Sequence, residues 1–266
     1  MAKPNIKDTT LIWHLGWQKT GTTIFQSLIR RNRELLEDHC AIFPKQHWTQ
    51  RLQNAGLAYW ADPSQTTEKA LKAKARAIRE KTREAGHTYG IVSDENIIGL
   101  ELYDDRGGMI DMAAAIMPVI ERAVAPAKSV FVFYTRDWDR WFRSAHNQVV
   151  KQLRCRAGFD DWVASAPFAQ DWDAHRARLQ DQVSGPVIFR DLGQDAAEGK
   201  PMGGAILELA GVPPEVFPKL AQPVGKNESL PPGALAFMLE INRSHIQDHG
   251  MEIVRTKVLK HIDAFK

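Results

Sequence analysis

The segment HLGWQKTGTT, residues 14–23, gathers residue types that bind an anion. Gly16 and Gly21 permit backbone conformations that a Cβ would forbid. The amides of Lys19, Thr20, Gly21, Thr22 and Thr23 can then converge on one anion, helped by the positive end of the helix that follows. Thr22 and Thr23 add hydroxyl donors, and Lys19 adds a full positive charge. A plain strand-to-helix turn capped by threonines would use the same Gly and Thr. Lysine between the two glycines, in a strand–loop–helix setting, tips the reading to phosphate.

Arg136 ends the run SVFVFYT, and Ser144 follows eight residues later in RDWDRWFRSAHNQ. The expected apolar stripe of that helix is Phe142, Ala145, Val149 and Leu153. At ~100° per residue Ser144 falls off the stripe, on a polar and basic face with Arg140, Gln148 and Lys151. Such a face suits a phosphate. Asp137 or Asp139 is placed to cap the helix start.

Two residues qualify as a general base. His47 lies in FPKQHW after the second strand, and a histidine is a ready base near neutral pH. Glu95 lies in IVSDENI at the end of the third strand, where α/β active sites sit, and partial shielding from water would suit it to the role. The two rank equally. Ser93, two residues before Glu95, can orient an acceptor or contact the donor group. Trp48 and Trp60 can stack on a sugar or adenine, whereas Trp138 and Trp141 read as packing residues.

These positions need a scaffold. Thr10–Leu15, Ala41–Phe43, Tyr89–Ser93, Ser129–Thr135 and Pro186–Phe189 read as buried strands: short apolar or β-branched runs bounded by polar, Gly or Pro residues. Most do not alternate, which predicts a parallel sheet covered on both faces. Helical patterns separate them at Thr22–Glu37, Thr66–Ala85, Asp111–Ala123 and Asp139–Leu153, with Pro118 a candidate kink. The 66–85 stripe is Leu71, Ala75, Ile78 and Thr82. Strands alternating with helices predict an α/β fold with right-handed crossovers. The expected organisation is one domain over residues 1–266, with a core at about 10–192 and a helical C-terminal portion at about 193–266.

Composition excludes several function classes. The 266 residues carry a net charge of +3 and 44% hydrophobic residues, too mildly basic for a nucleic-acid binder. Cys40 and Cys155 form no metal-like spacing and no disulfide framework, which fits a reducing compartment. The polar start MAKPNIKDTT has no apolar h-region, and no run approaches ~18 apolar residues. A cytoplasmic protein with no signal peptide and no membrane insertion is expected.

GWQKTGTT resembles the 5′-phosphosulfate loop of sulfotransferases that use PAPS, 3′-phosphoadenosine 5′-phosphosulfate. That loop has the form x-K-[ST]-G-T-[TS]. The nucleotide-hydrolase loop instead places Lys directly after the second Gly, where Thr22 stands here. Arg136 and Ser144 match the family's 3′-phosphate pair in spacing, and SAHNQ is similar to the family's SAYNQ. VIFRDL, 187–192, resembles a strand followed by Y-E-D-L. The likeness covers about residues 10–192. It implies a P-loop NTPase-like three-layer fold with a central parallel sheet flanked by helices. It also implies PAPS as donor, PAP as product and no metal, with Gly16, Lys19, Thr20, Gly21, Thr22, Thr23, Arg136 and Ser144 holding the donor. Lys19 would stabilise the leaving PAP, and His47 or Glu95 would take the acceptor proton. Lys226, in VGKNESL, falls where relatives place a basic segment but lacks their fuller R-K-G form.

Two other readings stay open: a P-loop small-molecule kinase using ATP and Mg²⁺, with Asp137 as a metal carboxylate, and a non-catalytic nucleotide-binding module. The acceptor, a hydroxyl- or amine-bearing carbohydrate or small molecule, is set by loops that sequence does not decode.

Overall fold

The computed structural model describes residues 3–98, 103–104, 107–166, 169–223 and 229–265. Lys226 lies outside them. Five parallel strands form one sheet: β1 (Thr10–His14), β2 (Ala41–Pro44), β3 (Tyr89–Ser93), β6 (Lys128–Thr135) and β7 (Val187–Asp191), in the order β2-β3-β1-β6-β7. Between β3 and β6 a short hairpin, β4 (Tyr103–Asp104) and β5 (Gly107–Gly108), pairs antiparallel. All five strands expected from the sequence are present, and the α/β class with helices flanking a parallel sheet is the observed one.

The helices are α1 (Thr22–Arg31), α2 (Arg33–Leu36), α3 (His47–Ala61), α4 (Gln65–Glu84), α5 (Met109–Val124), α6 (Trp138–Gln152), α7 (Phe159–Ala164), α8 (Trp172–Gln180), α9 (Gln194–Ala197), α10 (Gly204–Leu209), α11 (Pro232–Arg243) and α12 (Asp248–Lys260). The single helix expected over 22–37 is broken at Asn32, whose side chain bonds the carbonyls of Leu28 and Ala221. A side-chain amide that competes for backbone groups ends a helix locally. Pro118 sits inside α5 without ending it. Leu71, Ala75, Ile78 and Thr82 are the buried stripe of α4, as expected. The helix stops at Gly86, whose φ of 85° lets His87 N bond Thr82 O.

The chain folds into two compact units. The first comprises Met1–Arg136 and Phe168–Gly225, the second Asp137–Pro167 and Lys226–Lys266. Residues 204–220, from the C-terminal portion, complete the core of the first unit. There Ile206, Leu207, Val212, Val216 and Leu220 pack with Phe25, Leu28 and Ile29 of α1 on the sheet face made by Ile12, Ile42, Ile91 and Val132. On the opposite face Trp13 stacks with Phe131, and its indole N–H bonds Ser129 Oγ.

The second unit is helical. Val150, Leu230, Ala234, Met238 and Val258 form its core. Asn147 pairs its amide in both directions with the backbone of Leu230, at 3.0 Å each way. The α6 stripe is corrected accordingly. Trp141, Phe142, Ala145, His146, Asn147, Val150 and Lys151 are buried, while Leu153 is 55% exposed. Burying Asn147 against the Leu230 backbone turns Leu153 outward and Lys151 inward. Among the described residues no helix is long and apolar enough to cross a membrane.

Candidate functional site

The strand order places a switch point beside β1. The chain leaves β1 toward β2 on one side, and after β3 crosses to β6 on the other. In open α/β sheets the crevice at the carboxyl ends of such strands is where ligands bind. The loop 15–21 and Arg136 border it, the first following β1 and the second following β6.

The loop is bent by three left-handed residues: Gly16 at φ 46°, Lys19 at 68° and Gly21 at 83°. For a lysine that conformation costs about 1–2 kcal/mol, and such strain gathers at ligand sites. Gly21 is the N-cap of α1 and supplies no side-chain cap. Of the first-turn amides of α1, those of Ile24 and Phe25 bond the Gly21 carbonyl at 2.9 and 3.2 Å; the two before them stand where a helix start offers no intrahelical acceptor. Thr20 is buried and its hydroxyl donates to Trp17 O at 2.5 Å, so it braces the loop from within. Lys19 is half-buried, and Thr23 is exposed on the first turn.

Below the loop, the buried atoms His14 Nε2 and Thr22 Oγ1 have no hydrogen-bond partner among the described residues. Both flank Gly16: a Cβ there would lie 2.8 Å from Thr22 Oγ1 and 3.3 Å from His14 Nε2. Buried polar groups are normally paired, and an unpaired one calls for a reason. Such atoms beside a cradle that only glycine leaves open fit an anion-binding loop.

His14 ends β1 and was not singled out in the sequence. Its Nδ1 lies 2.9 Å from Ser93 Oγ, and its ring meets Phe25 and Tyr134 edge-on. Burial pushes its pKa down to about 4, against the opposing charges of Glu95 and Asp195. The ring is neutral at pH 7 and acts as a hydrogen-bonding strut.

Glu95 follows β3. Its Oε2 accepts from Gln26 Nε2 at 2.9 Å, its Oε1 pairs with Lys45 at 3.1 Å, and its side chain is 12% exposed. Gln26 also donates to Ser93 O at 3.1 Å, so α1 is stitched to the end of β3. Neighbouring Asp94 is buried, which pushes its pKa up; the Thr49 hydroxyl and the Asn96 amide pull the other way. His47 opens α3, exposed and edge-on to Trp48. Trp48 lies 5.9 Å from both the Arg51 guanidinium and the Lys81 ammonium.

The sequence matches no protein-family model and no curated protein. The site therefore stands on its own geometry. The first unit places the loop, Arg136, Ser93 and Glu95 at the carboxyl ends of three neighbouring strands, β1, β6 and β3. Ser144 is half-buried on α6 in the second unit, where Asp137 caps the helix by accepting from Arg140 N at 3.0 Å. Lys151, expected on the same polar face, is 7% exposed, and burial lowers its pKa. Trp141 is fully buried, as expected of a packing residue.

Sequence reading passed over His14, Gln26 and Lys45. His14 carried a signal, being the last residue of β1 directly before the glycine loop. Gln26 and Lys45 carried none, because their role arises from Glu95, 69 and 50 residues away.

Proposed function

We propose that the protein is a cytoplasmic sulfotransferase that moves a sulfuryl group from PAPS to a hydroxyl or amine of a carbohydrate or small-molecule acceptor. The observation that carries the reading is the strained Lys19 inside a three-bend loop at the switch point, with Arg136 at the neighbouring strand end. The loop amides and Thr22 suit the 5′-phosphate. Lys19 suits the bridging oxygen, where charge develops as the sulfur–oxygen bond breaks. Arg136 and Ser144 are assigned to the 3′-phosphate by the resemblance, which also implies that no metal takes part.

Transfer forms a bond from the acceptor oxygen or nitrogen to sulfur, breaks the sulfur–oxygen bond to the 5′-phosphate, and delivers the acceptor proton to a base. We assign the base to Glu95. Gln26 and Lys45 hold its carboxylate in place, and Gln26 belongs to the helix that the loop opens. His47, the alternative, is exposed at the start of α3 with its ring edge-on to Trp48. The kinase reading draws on the same loop but lacks Lys at position 22.

The test is thermal stabilisation by PAP of wild type, Lys19→Ala and Arg136→Ala, with ATP·Mg²⁺ as control. PAP at ~100 times its Kd should raise the wild-type Tm by about 5 °C or more. Arg136→Ala should abolish most of that rise by removing a charge-assisted contact. No shift with PAP, or a larger one with ATP·Mg²⁺, overturns the proposal.

A further inference from the structure

Arg136 is the first residue beyond β6, so the strand ladder does not hold its carbonyl. The last bond there is Leu192 N to Thr135 O, at 2.9 Å. The Arg136 carbonyl instead accepts the indole N–H of Trp172, at 2.8 Å. The same indole stacks on Trp17 of the loop, with ring centres 5.9 Å apart and planes 15° from parallel. Trp17 is stacked in turn on Phe133 of β6 at 4.6 Å, and Phe189 of β7 closes the cluster edge-on to Trp17 and Trp172. Trp172 is itself secured. Asp171 caps α8 by accepting from Ala174 N at 2.9 Å, and His175 Nε2 lies 2.6 Å from Ala169 O.

We propose that Trp172 is a positioning residue that holds Arg136 in register with the Gly16–Gly21 loop. The inference rests on the donor-binding reading above. The orientation of the Arg136 peptide sets where its guanidinium leaves the chain, and the Trp172 N–H fixes that orientation. The stack on Trp17 ties the same residue to the loop, so both sides of the crevice are referred to one rigid indole. Misplacing one charged contact by a fraction of an ångström weakens binding without unfolding the protein.

The discriminating variant is Trp172→Phe, which keeps an aromatic ring for stacking and removes the N–H. Its PAP affinity, measured by calorimetry on the full chain, should fall about tenfold. The Tm without ligand should fall by no more than a few degrees. In an Arg136→Ala background the same substitution should cause no further loss, because the two act as one unit. If Trp172→Phe binds PAP as tightly as wild type, the positioning role is wrong. If it weakens binding equally with and without Arg136, Trp172 serves only the fold and the proposal fails. Absence of PAP binding by wild type overturns the donor reading, and this inference falls with it.

Discussion

His14 Nδ1 and Ser93 Oγ lie 2.9 Å apart, joining the last residues of two adjacent parallel strands. The bond holds the imidazole with Nε2 at the space beside Gly16 that the Thr22 hydroxyl also borders. One buried ring thus links the loop to the strand end that carries Glu95.

That ring makes stability pH-dependent. The folded-state pKa of His14 is about 4, below its ordinary value of 6.5. Between these values the unfolded chain binds a proton that the folded chain does not, so stability rises with pH. Lowering the pH from 7 to 4 should therefore remove on the order of 3 kcal/mol. Urea unfolding across that range should show the slope for wild type and a shallower one for His14→Gln. Equal slopes would mean that other groups cause the acid loss.

Gly203 and Gly199 test which glycines the packing demands. Both have positive φ, 85° and 71°. A Cβ on Gly203 would lie 1.9 Å from Phe25, whereas one on Gly199 meets nothing within 4 Å. Gly199→Ala carries only the backbone term, about 1–2 kcal/mol. Gly203→Ala adds overpacking of about 1–3 kcal/mol. Denaturant midpoints of the two variants should differ in that order.

Asp195 is a buried anchor behind the loop. It accepts from the Tyr134 hydroxyl, from Arg190 Nε at 2.6 Å and from Gly203 N at 2.7 Å. Asp195→Ala strips three donors at once and should cost about 3–5 kcal/mol. Tyr134→Phe removes one bond and should cost about 1 kcal/mol. Chemical denaturation that ranked them in reverse would show that Arg190 is satisfied by Glu198 alone.

Turnover separates the two candidate bases. Glu95→Gln keeps the shape and an acceptor for Gln26 but cannot take a proton. With labelled PAPS and an acceptor found by screening, it should lower kcat at least ~100-fold and leave PAP binding within about twofold. His47→Ala should change kcat little. The opposite outcome moves the base to His47 and leaves Glu95 as a partner of Lys45.

Much of this was legible before folding. β3 and the buried stripe of α4 were placed almost to the residue, because a strand covered on both faces and a helix with one wet face leave distinct patterns. The loop was legible for a similar reason: Gly, Lys and Thr at that spacing between strand and helix have few other uses. The α6 face was misphased. Hydrophobicity pointed to Leu153, but the buried face follows Asn147, whose bonds to the Leu230 backbone no local pattern reveals.

By itself, then, the sequence determined the parallel sheet, the loop after its first strand and the position of Lys19 between the two glycines. These depend on local periodicity and on the backbone freedom of single residues. Only the tertiary structure decided that His14 would meet Ser93, that Gln26 and Lys45 would hold Glu95, and that Trp172 would seat the Arg136 carbonyl. Those pairs join groups 36 to 79 residues apart. Their geometry is set by how the strands lie side by side, a relation that exists only once the sheet has formed.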